Sequence, residues 1–401
     1  MREFKLNLDR LREVIFYPFF ECNLSCRGCP VKKPAGEIGL FKSPPDAFES
    51  HITPDHIRRV TEWNVKYYVI LGGEPFLSAS LPYMLKMLKG KDIILSKDGQ
   101  KIVEELRRYS NGKINIYTNA TLLYKADLAK IKDDLELIDY LTVSVEGDDF
   151  WTRRIRGKVF DKCLWVIDKM RDYIEEVTVR SGYWFEFACP RCGGNVLQIN
   201  GTYYCRNCGI IDNPRNSIMD IVKVVEFFNE KYDVPVGLAP RIDKPPVPRQ
   251  YLRWFYTTIS SMKKVDCMPP SYKNFIGLKI TCPAGWNRLV VHPDGSIAGC
   301  QWDSGAFANL SMDDEMITEF ANRWVEYYRR LMPECYGCKH SKICMSSCKA
   351  AMDYKECPVK EYSLDNNDIY VKLADGRTLV TSSIKAIDNF KKMRLHNPGV
   401  C

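Results

Sequence analysis

The sequence predicts an α/β fold of repeated strand–helix units around a parallel sheet. Short apolar runs rich in β-branched and aromatic residues alternate with longer amphipathic stretches over residues 1–185, the signature of βα units. The runs after the first close on glycine or a small polar residue, at the strand ends where active sites of β/α barrels collect. The 401 residues are 45% hydrophobic and 27% charged, which supplies a sizeable core and excludes wholesale disorder.

In chain order, Val14–Phe19 reads as the first strand. Tyr67–Leu71 is the second and ends in Gly72-Gly73. Lys113–Tyr117 ends in Thr118-Asn119, Leu141–Val145 ends in Glu146-Gly147, and Val177–Arg180 opens a fifth. Helical patterns cover Leu81–Lys89, Gly99–Tyr109 and Asp161–Tyr173. Asp212–Val234 is a further helix, entered through Asn213-Pro214, and Val236–Ala239 is a sixth strand. Residues 241–248 form a proline-rich connector, followed by a helix over 249–265. From Cys282 onward the pattern changes to short hairpins. Arg288–His292 and Ser296–Ala298 flank Pro293-Asp294-Gly295, a hairpin turn signal. Asp368–Leu373 and Thr378–Ser382 flank Asp375-Gly376, and a helix covers Ser383–Lys392. The expected organisation is a barrel unit over 1–240 interrupted by a cysteine insertion at 186–211, a connector over 241–281, a cysteine-rich domain over 282–360, and a hairpin and helix over 361–401.

Seventeen cysteines are the anomaly of the composition, and they are clustered. Such density fits either a secreted disulfide protein or a metal protein of a reducing compartment. The opening MREFKLNLDRLREV is charged and lacks an apolar stretch before a small-residue cleavage site, so a cytoplasmic metal protein is expected. No run approaches the ~18 apolar residues of a membrane span. The net charge of +8 is dilute, with no basic patch of the kind that binds nucleic acid.

Cys22-Asn-Leu-Ser-Cys26-Arg-Gly-Cys29 gives C-x3-C-x2-C directly after a strand. Three thiolates on one tight loop can hold three irons of a 4Fe–4S cube and leave the fourth open. Gly72-Gly73-Glu74-Pro75 follows the second strand. In these motifs the chain resembles the radical S-adenosylmethionine (SAM) superfamily. The resemblance implies a partial (β/α)6 TIM-type barrel. It implies SAM chelated to the open iron and cleaved reductively to a 5′-deoxyadenosyl radical, with Cys22, Cys26 and Cys29 as catalytic cluster ligands. It makes Gly72, Gly73, Glu74 and Pro75 SAM contacts, with the Glu74 carboxylate accepting from the SAM ammonium group. Ser144 and Arg156 carry over from the fourth-strand region as contacts to the ribose or carboxylate. Thr118 and Asn119 face the same mouth as contacts or as a turn. Gly28 stands where the family often has an aromatic that packs on adenine, so that contact does not carry over.

Cys282, Gly295 and Cys300, then Cys335-x2-Cys338-x5-Cys344-x3-Cys348 and Cys357, resemble the SPASM extension of radical SAM enzymes. That resemblance implies two auxiliary 4Fe–4S clusters. Cys282, Cys300 and Cys348 would serve the first; Cys335, Cys338, Cys344 and Cys357 would serve the second. Cys267 is the candidate fourth ligand of the first, the alternative being a buried free cysteine. Gln301 stands where sulfatase-maturing relatives carry an acidic base, with Asp303 two residues on.

Cys189-x2-Cys192 and Cys205-x2-Cys208 flank a hairpin turning at Gly201. Two such loops present four thiolates tetrahedrally. The unit resembles a zinc ribbon or rubredoxin knuckle, holding structural zinc or a single iron. Cys163 and Cys401 match no motif. The expected activity is abstraction of a substrate hydrogen, for oxidative modification or crosslinking of a peptide or protein. The alternatives are a tetrapyrrole, lipid or small cofactor precursor as substrate, or an iron–sulfur electron-transfer scaffold without catalysis. A ferredoxin or flavodoxin is the expected electron donor, and the radical chemistry calls for anaerobic conditions.

Overall fold

The apolar runs become strands of one sheet. The computed structural model describes residues 5–29, 51–78, 81–89, 93–97, 100–104, 112–241, 247, 249–267, 282–301, 303–328, 368–372 and 378–382. Its strands are β1 (Glu13–Phe16), β2 (Tyr67–Ile70), β3 (Ile93–Lys97), β4 (Gln100–Glu104), β5 (Lys113–Thr118), β6 (Tyr140–Ser144), β7 (Glu176–Tyr183), β8 (Phe187–Ala188), β9 (Val196–Ile199), β10 (Thr202–Cys205), β11 (Gly209–Ile210), β12 (Arg215–Asn216), β13 (Val236–Pro240), β14 (Val265–Cys267), β15 (Arg288–Val291), β16 (Ser296–Cys300), β17 (Asp303–Asn309), β18 (Asp368–Lys372) and β19 (Thr378–Ser382). The α-helices are α1 (Pro54–Thr61), α2 (Leu81–Leu88), α3 (Lys132–Leu135), α4 (Asp149–Arg156), α5 (Phe160–Met170), α6 (Ser217–Tyr232), α7 (Arg249–Ser260) and α8 (Asp314–Tyr328).

The main sheet runs β14-β13-β7-β6-β5-β2-β1-β15-β16-β17. From β14 to β15 all neighbours are parallel; β16 and β17 add an antiparallel end. Parallel strands covered on both faces read as unbroken apolar runs, and β1 shows why. Val14 and Phe16 join the main core, while Ile15 joins a second cluster with Val69 and Val290, its neighbours in register. Alternate side chains thus bury on opposite faces. A fully buried polar row, Asn115, Thr142 and Thr178, satisfies itself across β5, β6 and β7 through contacts of 3.0 and 2.9 Å.

α4 matters most for the site. Asp148 caps its start by accepting from the Trp151 amide (3.2 Å). It ends at Gly157, whose φ of 87° closes the last turn. Its inner face buries Trp151 and Ile155 completely or nearly so.

Several expectations change. Residues 100–104 form strand β4, paired with β3, not the helix expected over Gly99–Tyr109. Ile102 and Val103 prefer a pleated environment, and Asp98-Gly99 between the two strands is itself a hairpin sequence. The helix expected from Asp212 begins at Ser217; Arg215–Asn216 instead pairs with Phe187–Ala188, and Asn216 caps the helix. Residues 249–267 are no mere connector, since α7 leads into β14, which joins the sheet. The hairpin of β18 and β19 forms as expected. The helix expected over Ser383–Lys392 lies outside the described residues. Among the described residues no helix is long and apolar enough to cross a membrane.

Candidate functional site

The chain leaves β1 through a buried turn, Tyr17–Phe20, and enters the cysteine loop. The Gly28 φ of 72° turns the chain between Cys26 and Cys29, and the Cys29 amide donates to the Cys26 carbonyl (3.2 Å). Gly72 and Gly73 brace this loop from β2. A Cβ on Gly72 would lie 2.6 Å from the Phe19 carbonyl oxygen, and one on Gly73 would run into the Glu21 carbonyl. The Gly73 and Glu74 amides donate to the carbonyls of Phe19 and Glu21 at 3.2 and 2.8 Å. The glycines therefore let the second strand end lie flush on the cysteine loop.

All three cysteines are half-buried and open into one cavity of about 250 Å³. Gly72, Gly73, Asn119, Ser144 and Arg156 line the same cavity, so it gathers every expected SAM contact except Glu74 and Pro75. The donor set suits thiolates. The Leu24 amide (3.4 Å) and the Asn119 side-chain amide (3.5 Å) both donate to Cys22 Sγ. Burial pushes the Cys26 thiol up; the Arg156 guanidinium pulls it back, and Cys29 and Cys22 push it up again. Thiolates that push one another's pKa up are better held beside added positive charge, which an iron cluster would provide.

Glu74 departs from its expected role. It is fully buried, and both carboxylate oxygens are taken inside the chain. Oε1 accepts from the Thr118 hydroxyl (2.8 Å) and Oε2 from the Asn119 amide (2.7 Å). Burial raises its pKa against these donors. Glu74 shapes the third strand end without facing the cavity. Pro75 opens a short 3-10 turn that Glu74 caps.

Sequence reasoning missed the charged centre of the cavity. Glu146, at the end of β6, accepts from Arg156 Nη2 (2.9 Å), lies 3.4 Å from Arg241 Nη1, and accepts from the Gly182 amide (3.2 Å). Burial opposes its ionisation, but Arg241 and Arg156 outweigh that and hold its pKa low. Glu146 was visible only as a polar strand end, and Arg241 lay hidden in a proline-rich stretch. Among the described residues, Arg156 Nε is buried without a hydrogen-bond partner. Cys163, on α5, is buried beneath this wall, with its thiol near the carbonyls of Asn119 and Ser144 and pushed up to about 12 by burial.

The cysteine-rich segment reaches the same cavity. Gln301 lines it. Cys300 ends β16, and its sulfur, like that of Cys29, is close enough to Tyr17 to add to the burial that raises the phenol pKa. Cys282 is half-buried, with its carbonyl accepting from Trp286 Nε1 (2.7 Å). Cys267 sits in the main core on β14, where burial pushes its thiol well up; such surroundings favour the thiol over a metal-binding thiolate. Cys335, Cys338, Cys344, Cys348, Cys357 and Cys401 lie outside the described residues, as does the Asp303 side chain.

The insertion forms a three-stranded sheet, β11-β10-β9. The sulfurs of Cys189, Cys192, Cys205 and Cys208 all lie within 4.8 Å of one another, and Cys192 and Cys205 are 3.5 Å apart. A tetrahedral ion with bonds of about 2.3 Å needs sulfurs roughly 3.8 Å apart, so the set fits one zinc or iron. The Gly194 amide donates to Cys192 Sγ (3.4 Å). Against burial, the amides of Cys192 and Arg191 pull the Cys189 thiol down, while Cys192 and Cys189 push Cys208 up.

Known proteins share this architecture. A crystal structure of Streptococcus suis SuiB bound to S-adenosylmethionine superposes with a TM-score of 0.56 at 16% identity, covering 87% of this chain and 74% of that one. SuiB bound to the precursor peptide SuiA gives the same figures. Native anSMEcpe with bound AdoMet and the Cp18Cys peptide reaches 0.57 at 14% identity, covering 96% of this chain and 97% of that one. At these identities the likeness is one of fold. No curated protein matches the sequence. Residues 16–183 match the family model described as the radical SAM superfamily, and they include the cysteine loop, both glycines and the Glu146–Arg156 pair. Over residues 16–183 the chain is thus similar to the radical SAM superfamily.

Proposed function

We propose that this chain is a radical SAM enzyme that cleaves S-adenosylmethionine reductively and oxidises or crosslinks a peptide or protein substrate. The observation that carries the reading is the single cavity shared by the three-cysteine loop, the Gly72-Gly73 strand end, Asn119, Ser144 and Arg156. When bound, a 4Fe–4S cluster with SAM supplies one-electron cleavage and a carbon radical that abstracts hydrogen.

The chain's own residues bind, orient and exclude water. Cys22, Cys26 and Cys29 would hold the cluster, with the Leu24 and Asn119 amides donating to Cys22 Sγ. Arg156, which lines the cavity, is assigned a SAM carboxylate or ribose, with Glu146 fixing its guanidinium from the Nη2 side. Arg241 closes the far wall, donating to the Arg27 carbonyl (3.0 Å) and so tying β13 to the cysteine loop. Gln301 brings the cysteine-rich segment to the cavity, which supports a substrate passing between the two. Cys282 and Cys300 are assigned to auxiliary cluster I, and the core setting of Cys267 supports leaving it out. The four-cysteine knuckle is assigned structural zinc. A cytoplasmic ferredoxin or flavodoxin is the assigned electron donor. The peptide-bound relatives support a peptide substrate.

Anaerobically reconstituted protein given dithionite and SAM is expected to release 5′-deoxyadenosine, and Cys26→Ala to abolish release. An intact-cluster wild type that releases none overturns the reading.

A further inference from the structure

Three consecutive residues of α4 face three different parts of the molecule. Arg154 reaches the knuckle: its Nη2 donates to Glu186 Oε1 (2.5 Å) and also to Asn195 Oδ1. The carbonyl of Ile155 accepts from the Arg27 amide (2.8 Å) inside the cysteine loop. Arg156 enters the cavity and meets Glu146. A rigid helical turn thus joins the four-cysteine unit to the three-cysteine loop.

Asn195 belongs to the metal-binding turn. It follows Gly194, whose carbonyl accepts from the Cys189 amide (2.8 Å) and whose amide donates to Cys192 Sγ. Asn195 also bridges to Ala188 on the strand before the knuckle. The knuckle's own core is Cys189, Val196, Cys205 and Ile211, too small to fold without a metal. Arg154 and Glu186 are both largely buried, at 11% and 14% side-chain exposure, so the contact is shielded from competing water. A second tie holds the other end of α4. Arg215, which follows the knuckle, pairs with the capping residue Asp148 and donates to Asp220 (2.7 Å). Asp220 accepts in turn from Trp151 Nε1 (2.9 Å).

We propose that Arg154 is a positioning residue through which the metal-loaded knuckle holds α4, and with it Arg156 and the Cys22–Cys29 loop, in the geometry of the cavity. The knuckle is then more than a rim ornament: losing its metal loosens the site on the far side of the helix. The inference rests on the reading of the cavity as the SAM site.

The test uses full-length, reconstituted protein with SAM affinity as one readout and amide exchange of Arg27 as another. Arg154→Ala is expected to weaken SAM binding about tenfold and to speed exchange at Arg27 while zinc content stays intact. Asn195→Ala, milder for folding, should move both in the same direction, and Arg154→Lys should restore part. Removing the knuckle metal through Cys192→Ser should match Arg154→Ala, and combining the two should add nothing further. SAM affinity and Arg27 exchange unchanged in Arg154→Ala and Asn195→Ala, or additive effects of Arg154→Ala and Cys192→Ser, would overturn the inference. A wild type that fails to bind SAM defeats the functional reading alone, because the Arg27 exchange still reports on Arg154.

Discussion

Both carboxylate oxygens of Glu74 and both nitrogens of His292 are buried, yet their situations are opposite. Glu74 is satisfied by Thr118 and Asn119. Glu74→Ala leaves that amide and hydroxyl without an acceptor in the interior and is expected to destabilise the fold by about 2–3 kcal/mol in urea titration. His292 has no hydrogen-bond partner on either nitrogen among the described residues and stacks on Tyr17, ring centroids 5.5 Å apart. Burial lowers its pKa to about 4, against the pull of Asp294. The unfolded chain takes up that proton near pH 6.5 while the folded chain refuses it until about 4. Stability should therefore fall as pH drops through that window. His292→Phe should flatten the decline, read as the difference in denaturation midpoint between pH 5 and pH 7. Glu146 was the residue least legible beforehand. A carboxylate at a strand end looks the same in sequence whether it meets water or two guanidinium groups.

Elements were read well where local chemistry and tertiary setting agree. Six strands were legible because apolar β-branched runs end on Gly72-Gly73, Thr118-Asn119 and Glu146-Gly147, and each does form in the sheet. The three-cysteine loop was legible from its spacing after a strand, and the four-cysteine knuckle because paired C-x2-C turns bring their sulfurs together. Strand β4 is not legible as a strand because Ile102, Val103 and Leu106 also suit a helix face. Strand β14 was missed because three residues after a helix carry too little pattern. The contact between Gly73 and Glu21 is a tertiary fact that no local pattern holds. It yields a sharp prediction: Gly73→Ala forces the cysteine loop away from β2, so reconstituted protein should hold about four fewer irons, a full cubane's complement, while zinc in the knuckle is unchanged. Metal analysis of the two proteins side by side checks it.

At the scale of the whole molecule, the cysteine-rich segment is not appended to the sheet but continues it. β1 pairs along its full length with β15, Glu13 to Arg288 through Phe16 to Val291, and the Glu13 and Arg288 side chains form a buried ion pair across that seam. Arg288→Leu strands the Glu13 charge in the interior and is expected to cost about 3–5 kcal/mol, measured as loss of unfolding free energy. The change of composition at Cys282 is thus a boundary of style, crossed by an unbroken backbone ladder. Heat or denaturant should melt residues on either side of it in one transition. A chain cut short before Cys282 would expose the whole flank of β1 as a bare template for other strands. Such a fragment should precipitate, and no half of the molecule can be lost, borrowed or exchanged without the other.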